Sequence, residues 1–117
     1  ASSSKSCRKI LKKLCIDALF NNVVDGSDLE SLGLNGKPDP DIFISASKLI
    51  NILPSEAIVI EDAVSGILSA KAANIKFVIG VARRKNESIL KRAGADIILN
   101  DLNSIDFLNQ IVGKDKL

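Results

Sequence analysis

Histidine, methionine, tryptophan and tyrosine are all absent from this 117-residue chain. Without histidine there is no Ser-His-Asp triad, no Cys-His nucleophile pair and no His-ligated zinc site. The missing methionine means that the sequence does not open with an initiator, which fits a piece of a longer protein. Cysteine is scarce: Cys7 and Cys15 lie in one basic segment that reads as helix. A helix would hold them roughly 12 Å apart, too far for a bridge. They are therefore expected to be reduced and structural, as in a cytoplasmic protein. No apolar run is long enough to cross a bilayer and nothing at the start resembles a signal peptide, so no membrane contact is expected.

What is present is a soluble globular composition, 46% hydrophobic with a net charge of +2, and length for one small domain over residues 1–117. Residues 5–14 carry Ile10, Leu11 and Leu14 in a narrow stripe among Arg8, Lys9, Lys12 and Lys13. No aromatic residue interleaves those charges, so the segment reads as a solvated basic helix rather than a nucleic-acid surface. Residues 22–24 form a short strand candidate ending at Asp25-Gly26. Asp39 can cap a helix with Pro40 in its first turn, and Ile42, Phe43, Ala46, Leu49 and Ile50 follow amphipathic spacing up to Pro54. Residues 57–60 and 77–81 read as strands buried on both faces. A small-residue helix over 63–73 is closed by Asn74, a short helix over 87–93 by Gly94, and a strand over 97–99 precedes a closing helix over 105–112. This alternation predicts an α/β fold with a parallel sheet and helices on both faces.

Three places carry candidate chemistry. Glu61 and Asp62 follow the run Ile58-Val59-Ile60, at the strand end where open α/β sheets bind ligands. Two adjacent carboxylates suit Mg2+, a hard cation that takes oxygen ligands and keeps some of its waters; an ordinary N-cap pair for the next helix is the alternative. Gly66, in the first turn of that helix, suits either the close approach of a ligand or tight helix–strand packing. Lys37 is held between Gly36 and Pro38, outside the helix. It can reach over a strand end toward a phosphoryl group or lie in water as a loop lysine, and a loop position predicts little effect on stability. Ser2, Ser3 and Ser4 precede a helix and form either a phosphate seat or a frayed end.

The order of these segments resembles the haloacid dehalogenase superfamily. Ala1-Ser2-Ser3-Ser4-Lys5, Gly36-Lys37-Pro38-Asp39-Pro40-Asp41-Ile42-Phe43 and Val59-Ile60-Glu61-Asp62-Ala63-Val64-Ser65-Gly66 are similar to its β-phosphoglucomutase-like branch, and Ile79-Gly80-Val81 and Ala93-Gly94-Ala95-Asp96 extend the likeness along the chain. The resemblance implies a Rossmann-like phosphotransferase core. It also implies that Ser2 and Lys37 act on the transferring phosphoryl group, and that Ser3, Ser4, Lys5 and Ser6 lie at the phosphate-binding site. Mutase-like members hold a distal phosphate where Ser4, Lys5 and Ser6 fall. Asp62 is implied as a Mg2+ ligand, with Glu61 as a ligand or its support. The family's first motif, Asp-x-Asp-Gly, does not occur here; Asp39-Pro40-Asp41 is followed by Ile42. The chain is therefore expected to be the C-terminal part of such a core, without the first-motif strand and cap. Its expected partners are the upstream segment bearing the nucleophilic aspartate and a small phosphorylated sugar. The expected activity is Mg2+-dependent phosphoryl transfer through an aspartyl-phosphate, as mutase or phosphatase, with a non-catalytic remnant as the rival; the chain alone is expected to be inactive.

Overall fold

The computed structural model describes residues 1–105. Its centre is a parallel sheet of β1 (Ile58–Glu61), β2 (Phe77–Val81) and β3 (Ile97–Leu99), in that spatial order. Ile58 pairs with Phe77, Glu61 with Gly80 and Val81 with Leu99. The crossovers are α4 (Val64–Ala72) and α5 (Glu87–Ala93), and α1 (Cys7–Lys13), α2 (Gly26–Ser31) and α3 (Asp41–Leu49) precede the sheet. The result is an α/β core in which a small parallel sheet is flanked by helices. Ile42 of α3, Ile67 of α4, Val78 and Ile79 of β2 and Leu90 of α5 are fully buried at its centre. Asn74 and Gly94 take left-handed conformations beyond α4 and α5, as their sequence positions predict.

Several expectations need correction. Residues 22–24 form an extended loop rather than a strand, and the Val24 carbonyl accepts a hydrogen bond from the Ser2 amide at 2.9 Å. The loop stops because Asp25 caps α2, a helix that its Gly-Ser-Asp start disguises as a turn. Asp25 accepts from the Ser27 and Asp28 amides, and Asp28 accepts from the Asp25 amide at 2.8 Å. Asp39 does not cap α3; Pro40 occupies that position, and Asp41 accepts from the Asn35 amide. α3 closes at Leu49, with Asn51 left-handed, and Pro54 opens a separate single turn, Pro54–Glu56. α1 ends at Lys13, so Cys15 lies beyond it, exposed; both cysteines are free. β1 is not buried on both faces: Val59 is, but Ile60 is exposed. The physical reason is that β1 is an edge, pairing among the described residues with β2 alone. The helix expected over 105–112 falls almost wholly outside the described residues, which end in the turn Leu102–Ile105. Among the described residues no helix is long and apolar enough to cross a membrane.

Candidate active site

β1 delivers Glu61 to its C-terminal end, and the chain turns through Asp62 and Ala63 into α4. Glu61 is largely buried, its side chain 10% exposed, and it forms an ion pair with Lys37, 13% exposed. The Lys37 ammonium also stands 5.2 Å from the centroid of the Phe43 ring, within cation–π range. A solvated loop lysine is thus excluded. The loop is fixed from two sides. The Asp39 amide donates to the Gly36 carbonyl, and the fully buried Ser69 hydroxyl of α4 donates to the Asp39 carbonyl at 2.5 Å. Ser69 therefore ties the lysine loop to the helix that follows the acid pair, and nothing in its sequence context advertised that role.

Glu61 also explains Gly66. A Cβ at position 66 would fall inside the Glu61 carboxylate, so the close approach that glycine permits is made by this side chain. The N-cap alternative fails for Asp62: Ala63 occupies the cap of α4, without any side-chain cap bond. Glu61 makes only a long contact, 3.5 Å, with the Ala63 amide. Asp62, about half exposed, instead meets the Arg83 guanidinium at 3.3 Å. Arg83 was not anticipated from the sequence. The one available signal was its place just past the C-terminal end of a buried strand. Glu61, Asp62 and Arg83 line a cleft of about 280 Å³ with Ala1, Ile60, Val81 and Leu102.

The serine segment is brought only partly to this cleft. Ala1 lines it, and Ser2 follows, half-buried, its amide held by Val24. The Ser2 and Ser4 hydroxyl oxygens accept from the Ser4 and Ser6 amides, so both serve local turns. Ser6 stands at the N-cap of α1, without a side-chain cap bond. Lys5 makes an exposed ion pair with Glu30 at 2.6 Å, which holds the Glu30 carboxyl below its ordinary value. The segment rests on Gly26, whose added Cβ would collide with the Ser3 carbonyl. Arg8 secures the same junction by ion pairs to buried Asp25 and to Asp28, both at 2.8 Å.

Could this cleft hold a divalent cation? Among the described residues no third His, Cys, Asp or Glu joins the acid pair. Mg2+ often uses one or two carboxylates and fills the remaining positions with water and substrate phosphate. Asp62 fits that demand. Glu61, committed to Lys37, fits a supporting position better than direct ligation.

A family model described as haloacid dehalogenase-like hydrolase matches residues 1–80. The chain belongs to this family. It is 36% identical over 104 residues to a β-phosphoglucomutase of Mycobacterium bovis, covering 86% of this chain and 40% of that protein. It is 30% identical over 103 residues to a phosphorylated carbohydrates phosphatase of Thermotoga maritima, covering 87% and 46%. Among solved structures, a β-phosphoglucomutase from Clostridium difficile superposes with a TM-score of 0.76 at 29% identity, covering 95% of this chain and 46% of that one. The chain spans less than half the length of these relatives.

Proposed function

We propose that the intact protein carries out Mg2+-dependent phosphoryl transfer on a small phosphorylated sugar through an aspartyl-phosphate, in the manner of a β-phosphoglucomutase. The observation that carries this reading is the Lys37–Glu61 pair beside Asp62. Residues 24 positions apart meet at the end of a parallel strand, largely out of water, where the family resemblance assigns them phosphoryl chemistry. An ammonium has three donors, and Glu61 engages one, leaving Lys37 able to bridge to a nucleophilic carboxylate and a phosphoryl oxygen. A preorganised charge facing the transferring group contributes most in such a partly desolvated site. Asp62 is the ligand we assign to Mg2+, which when bound would neutralise phosphoryl charge. Ser2 is assigned to the same phosphoryl group and Ser4, Lys5 and Ser6 to a distal phosphate, with Ser3 among the phosphate-binding residues.

The nucleophilic aspartate is assigned to an upstream segment. Support comes from the outer edge of β1, where a groove of about 220 Å³ runs between Ala46 and Ser47 of α3, with Ile50 just beyond that helix, and Ile58–Glu61, with Ala1 at its side. A strand edge without a partner among the described residues, beside a groove of mixed polar and apolar lining, suits one more parallel strand. Similarity to a phosphorylated carbohydrates phosphatase keeps a second reading, sugar-phosphate hydrolysis, beside the mutase. One experiment tests both. The intact protein is given a panel of hexose phosphates with Mg2+, and isomerised sugar phosphate and released phosphate are measured. Isomerisation supports the mutase, phosphate release alone the phosphatase. Asp62→Asn should abolish Mg2+-dependent turnover with the fold intact; unchanged turnover removes the metal assignment. No turnover by the intact wild type would favour a non-catalytic remnant.

A further inference from the structure

Two cationic side chains pair with the acid pair, and only one of them, Arg83, lines the cleft. Lys37 is largely buried against Glu61. Arg83 is 71% exposed and meets a carboxylate that is itself 47% exposed. An exposed ion pair of this kind is weak and exchangeable, whereas the buried one is not. The backbone beneath Arg83 is well fixed. The Ala82 amide donates to the Leu99 carbonyl at 2.7 Å, and the Arg83 amide donates to the Asn86 side chain at 2.7 Å. Arg84 and Lys85 then pass through left-handed conformations. Position 83 is thus an anchored base carrying an exposed guanidinium beside Asp62 in the cleft.

We propose that Arg83 is an exchangeable counter-ion: it occupies Asp62 while the cleft is empty, and moves to an anionic group of the ligand when a divalent cation takes Asp62. This rests on the reading of the cleft as a phosphate-binding, Asp62-ligated site. Guanidinium and cation cannot both use the same carboxylate oxygen, so each weakens the other there. Once released, the guanidinium has its planar fork of donors free for an oxyanion. The exchange couples cation loading to anion binding, and the coupling is reciprocal.

The decisive measurement needs no metal. Inorganic phosphate is titrated calorimetrically into the intact protein in chelator-treated buffer, comparing wild type, Asp62→Asn, Arg83→Ala and the double variant. Asp62→Asn frees Arg83, so phosphate should bind about two- to fivefold tighter than in wild type, the range open to an exposed ion pair. The double variant should lose that gain. A gain that persists in the double variant, or no gain in Asp62→Asn, overturns the proposal. Mg2+ alone should bind Arg83→Ala about two- to fivefold tighter than wild type, and equal affinity also overturns it. If Asp62→Asn binds Mg2+ as well as wild type does, the metal assignment fails, while the metal-free phosphate titrations still report on Arg83.

Discussion

Lys37 shows how a single residue changes meaning once its surroundings are known. As a loop lysine it would be neutral for stability. With its ammonium against a Glu61 that is only 10% exposed, removing it leaves a largely buried carboxylate without its counter-charge. Breaking one side of a buried pair costs about 3–5 kcal/mol; slight exposure of both groups puts the expected loss for Lys37→Ala near the lower end. Chemical denaturation should register it, together with a fall in turnover of several orders of magnitude. A variant of normal stability would mean that Glu61 relaxes into water. Gly66→Ala tests the other side of the same carboxylate. Its Cβ would displace the Glu61 carboxylate, the far end of a side chain that Lys37 holds in place. Stability should fall by about 1–3 kcal/mol, as for overpacking in a core, although alanine is the better helix former. A neutral or stabilising result would show that Glu61 has room to move.

Among the elements, α2 owes its existence to polar bonds more than to an apolar face. Only Gly26 and Leu29 of its residues are buried. The Asp28 carboxyl is held below its ordinary value first by the Asp25 amide and then by Arg8, against the burial that opposes it; the Arg8 guanidinium is raised in turn, chiefly by its bond to Asp28. A carboxylate with a depressed folded pKa contributes stability that is fully present above its unfolded pKa, near 3.9, and lost as pH falls through the lower folded value. The stability difference between wild type and Asp28→Asn should therefore be constant from neutral pH down to about 5 and shrink toward zero in stronger acid. Denaturation curves across that range check it, and a difference that grows on acidification would reverse the sign. Because Gly26 seats the Ser3 carbonyl and its amide donates to Ser4, loss of this cap should also loosen the serine segment. β3 is joined to β2 by a similar device. Asp96 accepts from the Val78 amide at 2.7 Å and donates its own amide to the Val78 carbonyl.

For the whole molecule, the exposed apolar side chains form the clearest pattern. Ile10 and Leu14 around α1, Leu19 and Phe20 after it, and Ile60 on β1 are all exposed, and α1 buries none of its residues. If an upstream strand occupies the groove beside β1, mixing the chain with a separately made upstream segment should slow amide exchange along Ile58–Glu61 and restore Mg2+-dependent phosphatase activity. Protection, in the chain alone, of the β1 amides that face away from β2, or activity without the segment, would argue against that occupant. The sequence by itself determined the strands, the helices between them and the acid pair at a strand end. β-branched runs, small-residue periodicity and left-handed stops at Asn74 and Gly94 are local signals, read within a few residues. It also carried the family, because motif order survives without coordinates. It could not reveal that Gly66 makes room for Glu61, that Ser69 holds the lysine loop, or that Arg83 faces Asp62. Those contacts join residues 5, 30 and 21 positions apart, and distance along a chain says nothing about which side chains meet. Only tertiary packing decided that Lys37 is a buried partner rather than a solvated loop residue, because burial is a property of the surroundings and not of the residue.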